Sequence, residues 1–276
     1  MCSSDLKNID IILLGDSFVH GSCVEDKNTI AEIIRKKFPN TLNLGFSASD
    51  PLLQYAILKE YGKLISPKLI IWFYFEGNDQ IELEKTINSN YSKYLGNNFT
   101  SNLVNRQSEI DRFVLNKLNK SFSQKTFVKK DNQIKEFLKQ RVTFYDIRFF
   151  FENRYLGYKE YKRLESFNGY KINSNFYKII NKFEKKANEL NSKILFIYLP
   201  DWSRFKLKKE ENYHGRIEVI NYIKKRNIKF LDMTEIFNKE ENPLILFDSD
   251  KFNAHYSEFG YQIVSESLLD FLKKVK

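Results

Sequence analysis

The sequence predicts an α/β protein built on a parallel sheet with helices on both faces. Three observations carry this expectation. Five short apolar runs of buried-strand length are spread along the chain. Segments with helical periodicity separate them. The third run, "KLIIWFYF", is apolar at consecutive positions rather than alternating, as a sheet covered on both sides requires. Strands that alternate with helices point to parallel pairing through helical crossovers.

The elements follow in order. Asn8 to Gly15 reads as a buried strand. Thr29-Ile-Ala-Glu32 has the form of a capping box, and Ile30, Ile33, Ile34 and Phe38 share one helical face. Thr41 to Phe46 is the second strand, and Pro51 to Ile65 a helix with proline in its first turn. Lys68 to Phe75 is the third strand. From about Gln80 to about Asn173 the rhythm stops. That stretch reads as a mostly helical insertion of about 80–173 within a single domain of 7–276. It holds an amphipathic segment, "NQIKEFLKQRV", and an aromatic and basic run from Phe144 to Tyr170 expected to pack a small core of its own. The rhythm then returns. Ser174 is placed to cap a helix carrying Phe176, Ile179, Ile180, Phe183, Ala187 and Leu190. Lys193 to Pro200 is the fourth strand, Ile217 to Lys225 a helix, and Ile228 to Met233 the fifth strand. A long helix carrying Tyr261, Ile263, Val264, Leu268, Leu269 and Leu272 closes the chain.

Composition bounds the function. With 276 residues, 42% hydrophobic and 16% aromatic, the chain can bury a full core. No apolar run approaches the about 20 residues of a membrane span. The net charge of +10 comes from basic residues interleaved with acids, in a chain rich in Lys, Asn and Ile. This is the pattern of AT-biased coding rather than of a nucleic-acid footprint, so nucleic acid is not an expected partner. Cys2 and Cys23 make neither a metal spacing nor a disulfide framework, and Cys23 reads as a buried thiol. The opening "MCSSDL" is what a common sequencing adapter would encode, so residues 1–6 are expected to be foreign and the true N-terminus missing. A bacterial origin is expected, with compartment and oligomeric state left open.

Chemistry-bearing residues gather at strand ends. "GDSFVHG", "GFSASDP" and "EGNDQ" each follow a strand, where open α/β sheets bind ligands. A serine at a sharp turn after a buried strand, opening a helix, is exposed, rigid and near backbone donors, as a nucleophile needs. The plainer reading is a turn in which Asp16 and Ser17 only satisfy backbone N–H groups.

The order of these blocks resembles the SGNH hydrolase superfamily, the GDSL-type esterases. The resembling stretches are Asn8 to Asp79 and Ser174 to Lys276. The resemblance implies a flavodoxin-like three-layer α/β/α sandwich, cleavage or transfer of acyl esters, and no metal or organic cofactor. It implies that Ser17, in Gly15-Asp16-Ser17-Phe18, is the nucleophile and lends its own N–H to an oxyanion hole. Asn78, in Gly77-Asn78-Asp79, would add its side-chain amide. His255, followed by Tyr-Ser-Glu-Phe-Gly260, would be the general base. Asp16, Gly45, Glu76, Gly77 and Asp79 would line or support the pocket. Two positions depart from the family pattern. Ala48 stands where many relatives have the glycine that gives the third oxyanion donor. Phe252 stands where they have the acid, three residues before the histidine. Asp250 is the first replacement, Asp248 and Asp232 are alternatives, and a backbone carbonyl is another. The expected substrate is a small-molecule or glycan acyl ester, such as an O-acetylated carbohydrate. An acyltransferase, or a non-catalytic binder of a glycan or partner, are the alternatives.

Overall fold

The computed structural model describes residues 8–120, 165–249 and 254–275. The chain divides into two compact units, Met1–Thr100 with Phe167–Lys276, and Ser101–Ser166.

The first unit holds a five-stranded, all-parallel sheet of order β2-β1-β3-β4-β5, with β1 Ile11–Leu14, β2 Thr41–Asn43, β3 Leu69–Phe75, β4 Lys193–Leu199 and β5 Lys229–Asp232. This is the doubly wound, flavodoxin-like order. Between and after the strands run α1 Ser17–His20, α2 Ile30–Arg35, α3 Pro51–Ile65, α4 Asp79–Ile87, α5 Ser174–Glu189, α6 Trp202–Lys206, α7 Arg216–Lys225, α8 Met233–Phe237 and α9 Glu258–Val275. The 310 turn Asn90–Leu95 also belongs to this unit.

The period-2 geometry of strands sorts the core into two layers. Ile11, Leu13, Ile71, Phe73, Phe75, Leu195 and Ile197 point to one face and pack with residues of α1, α2, α8 and α9. Ile12, Leu14, Ile70, Trp72, Tyr74, Phe196 and Tyr198 point to the other and pack with α3, α5 and α7. On that second face Trp72 stacks on Phe183, with ring centroids 4.0 Å apart. Its indole N–H, which a buried tryptophan must satisfy, donates to Gln54 of α3.

Local signals set the helix starts. Thr29 accepts from the Glu32 backbone N–H at 3.3 Å, but the Glu32 carboxylate turns away to Arg35, so the capping box forms only in one direction. Asp50 caps α3 ahead of Pro51. Asn173, not Ser174, caps α5: its side chain accepts from the Asn175 N–H, and Ser174 is the first helical residue.

The second unit is described in part. Residues 107–120 are helical, preceded by a 310 turn at Val104–Arg106, and Arg106 pairs with Glu109. The segment "NQIKEFLKQRV" and most of the run from Phe144 to Tyr170 lie outside the described residues. No helix among the described residues is long and apolar enough to cross a membrane.

Candidate active site

All the strands are parallel, so the segments after β1, β2 and β3 emerge at one edge of the sheet. β1 is the switch strand, with β2 on one side and β3 on the other. Ser17, Ala48 and Asn78 lie on these three segments.

Ser17 opens α1, joined to the end of β1 by the two residues Gly15 and Asp16. Asp16 caps this short helix by accepting from the Phe18 N–H at 3.0 Å. The Phe18 ring is buried against Phe75, Tyr256 and the His255 imidazole, with centroids 4.2, 4.6 and 4.9 Å away. One side chain therefore anchors the serine turn to the sheet and to the histidine.

His255 arrives from the far end of the chain. Its Nε2 lies 2.9 Å from the Ser17 hydroxyl. The segment that carries it is fastened by antiparallel pairing: Phe247 bridges Tyr256, the Asp248 N–H donates to the His255 carbonyl at 2.8 Å, and the Ser257 N–H donates to the Leu246 carbonyl. Gly260 makes this approach possible, because a Cβ there would meet the Leu246 carbonyl oxygen at 2.1 Å. The pairing brings Asp248 beside His255 although seven positions separate them. Burial lowers the imidazole pKa below its ordinary value, and the Asp248 charge opposes that shift. Asp250 and Phe252 lie outside the described residues. Asp232 is placed elsewhere: it caps α8 and holds Arg216 at 2.8 Å.

Ala48 is exposed and has φ 61, the left-handed region that glycine favours. The strap around it is tied down. Asn43 donates through its amide to the Val19 carbonyl at 2.7 Å and accepts from the Gly45 N–H at 2.9 Å, while the Phe46 N–H reaches the Gly15 carbonyl. Gly45 passes so close to α1 that a Cβ would lie 2.6 Å from Val19.

Asn78 precedes α4 at the N-cap position, yet its side chain makes no capping bond. Its amide faces the Asp16 carboxylate instead. An Asn-Asp turn of purely local purpose would spend that side chain on the helix. Asp79 accepts from the Phe75 N–H at 2.9 Å and so closes the loop. Gly77 is buried against the Phe75 ring. Glu76 is fully buried and accepts from Arg204 Nε at 2.8 Å, the Tyr198 hydroxyl at 2.7 Å and the Asp201 N–H at 2.8 Å. Burial pushes the Asp16 carboxyl up to about 6, and burial together with the Asp16 charge holds Asp79 well above the usual carboxylate range.

Two neighbours of the site escaped the sequence reading. Phe18 is one; its place directly after Ser17 was the available signal. Cys23 is the other, and the expectation of a buried thiol is corrected. It is exposed, and its Sγ lies 3.6 Å from His255 Nδ1. Nothing in its spacing to other cysteines could have shown this. Of the remaining histidines, His20 is exposed at the end of α1. His214 is 2% exposed in the turn before α7, where its Nδ1 accepts from the Tyr170 N–H at 3.3 Å.

No family model matches the chain, and no curated protein sequence matches it either. Solved structures do. A lipase/acylhydrolase from Enterococcus faecalis aligns over 96% of this chain and 96% of its own, at 10% identity and a TM-score of 0.51. An acetyl xylan esterase, AlAXEase, aligns over 95% and 98%, at 10% identity and a TM-score of 0.51. TesA aligns over 97% and 99%, at 8% identity and a TM-score of 0.51. The chain has the fold of the SGNH, or GDSL-type, hydrolases.

Proposed function

We propose that this protein is a serine esterase that cleaves a small acyl ester through an acyl-enzyme on Ser17. The observation that carries the proposal is the 2.9 Å approach of Ser17 Oγ to His255 Nε2, between residues 238 positions apart. Chance turns do not bring a serine and a half-buried imidazole together at the ligand-binding edge of a parallel sheet.

The sequence of steps uses the chain's own groups. His255 Nε2 takes the Ser17 hydroxyl proton as Oγ forms a bond to the ester carbonyl carbon. The carbonyl π electrons move onto oxygen, and that oxyanion is received by the N–H groups of Ser17 and Ala48 and the amide of Asn78. The tetrahedral intermediate collapses, the carbon–oxygen bond to the alcohol breaks, and His255 returns the proton to the leaving oxygen. Water then repeats the steps against the acyl-enzyme and releases the acid. Asp248 is the carboxylate that supports the imidazolium. The substrate class we name is an O-acetyl group on a carbohydrate, in line with the likeness to an acetyl xylan esterase. Ser17 and His255 are themselves partly exposed, as attack on an acyl group carried by a bulky alcohol requires.

The test is hydrolysis of p-nitrophenyl acetate and of acetylated xylan by the wild-type chain and by Ser17→Ala. The variant is expected to lose at least about 10³-fold in kcat, since removal of a triad nucleophile leaves only oxyanion and binding contributions. Equal rates for the two proteins would refute the proposal. Adding a free sugar acceptor separates the two uses of an acyl-enzyme. Hydrolysis predicts free acetate as the main product; a majority of acetylated sugar would make the protein a transferase.

A further inference from the structure

Among the described residues, the group that meets His255 Nδ1 is a thiol. Cys23 Sγ lies 3.6 Å from this nitrogen. The Asp248 carboxylate lies within 4.8 Å of the same thiol. The Cys23, Asp248 and His255 ligand atoms all lie within 4.8 Å of one another. Asp248 and His255 are held side by side by the pairing of Leu246 to Asp248 with His255 to Ser257. Cys23 comes from the other end of the chain, in the loop after α1. The Tyr261 hydroxyl donates to the Ser22 carbonyl at 3.1 Å and so binds that loop to α9.

The hydrogens on this trio have one consistent arrangement. With Ser17 donating to Nε2, the ring hydrogen of the neutral imidazole sits on Nδ1 and must be given away. An ionised carboxylate only accepts. A thiol gives one hydrogen and accepts weakly through sulfur. The Cys23 S–H therefore points to Asp248, and the sulfur lone pair faces the Nδ1 hydrogen. Partial desolvation beside its neighbours and the Asp248 carboxylate both raise the Cys23 pKa, which keeps the hydrogen on sulfur. The backbone agrees with a retained side chain. Cys23 has φ 72, where glycine would be relaxed and a side chain is strained.

We infer that Cys23 is a positioning residue for His255: its thiol accepts the Nδ1 hydrogen and donates its own to Asp248, so the acid steadies the imidazole through sulfur. The inference rests on the reading of Ser17 and His255 as nucleophile and base. When Ser17 gives up its proton, the imidazolium keeps its Nδ1 hydrogen against sulfur and the Asp248 charge lies just beyond. Asp248 is the charged group acting on the imidazole among the described residues.

The experiment compares the full chain with Cys23→Gly, Cys23→Ser, Asp248→Asn and the Cys23→Gly/Asp248→Asn double variant. Glycine suits the left-handed backbone, so loss of folding does not confound the result. Nitrogen NMR of the His255 ring reads the tautomer without any substrate. The wild type and Cys23→Ser are expected to hold the hydrogen on Nδ1, and Cys23→Gly to mix tautomers. With p-nitrophenyl acetate, Cys23→Gly is expected to lose about 10- to 100-fold in kcat at unchanged KM, short of the about 10⁴-fold lost when a directly bonded triad acid is neutralised. Cys23→Ser restores most of it, and the double variant is no slower than Cys23→Gly, because residues acting as a unit are not additive. A Cys23→Gly variant with wild-type tautomer and kcat would overturn the inference, as would an Asp248→Asn effect undiminished in its background. Fluorophosphonate labelling of Ser17 keeps the two readings apart. An unlabelled Ser17 would count against the esterase, while the NMR comparison still decides the Cys23 contact.

Discussion

Ala48 holds a backbone conformation that belongs to glycine, with φ 61 in the strap after β2. A left-handed alanine costs about 1 kcal/mol over glycine, partly offset by the lower chain entropy of alanine in the unfolded state. Ala48→Gly is therefore expected to raise stability by at most about 0.5 kcal/mol in urea denaturation and to leave kcat within about 3-fold, because the N–H stays where it is. His255 makes the second residue-scale prediction. In its proposed role as base it works only when neutral, and burial holds its pKa below the ordinary value. Activity should rise with pH through that lowered pKa and be flat at neutrality. Asp248→Asn removes the charge that favours the imidazolium. The acid limb of kcat/KM should then move to lower pH while the plateau falls; an unmoved limb would show that the carboxylate does not act on the ring.

At the scale of the elements, the site depends on how β3 ends. Glu76, the first residue after the strand, is bound by Arg204, Tyr198 and the Asp201 N–H, and this fixes where Gly77 and Asn78 begin. Arg204 is also tied to the carbonyls of Glu210, Glu211 and Tyr213. Both charges are buried, at 0% and 5% side-chain exposure. Removing one partner strands the other in the interior, which costs about 3–5 kcal/mol. Arg204→Ala is expected to lose that much in chemical denaturation. It should also reduce kcat through the Asn78 loop, although Arg204 is not among the residues assigned a chemical step.

At the scale of the whole molecule, stability should depend on pH through groups that the proposed chemistry does not use. His214 is buried, and its pKa is pushed down to about 4 by desolvation. The folded state keeps it neutral while the unfolded chain titrates near the ordinary value of about 6.5. The unfolded state therefore binds more protons between about 4 and 6.5, and stability falls as pH falls through that window. From pH 7 to 5 this amounts to about 2 kcal/mol. His214→Gln keeps an acceptor for the Tyr170 N–H and removes the titration. The difference in unfolding free energy between wild type and variant should change by about that amount over the same interval, and a constant difference would refute the assignment.

The sequence by itself determined the sheet. Continuous apolar runs and helical periodicity depend on which residues must avoid water, and this is written locally. The five strands of the sheet lie within the predicted runs, and the helix Pro51–Ile65 has the predicted ends. The Ser17 turn, the Asn78 loop and the His255 segment were also legible, because each follows or opens a regular element. Only the tertiary structure decided what stands behind the histidine. Asp248 becomes its neighbour through antiparallel pairing of two short segments, and Cys23 reaches the ring from 232 positions away. A side-chain partner for Nδ1 is chosen by where two loops meet in space. No spacing rule along the chain encodes that meeting, and so a thiol read as ordinary core is found at the edge of the site.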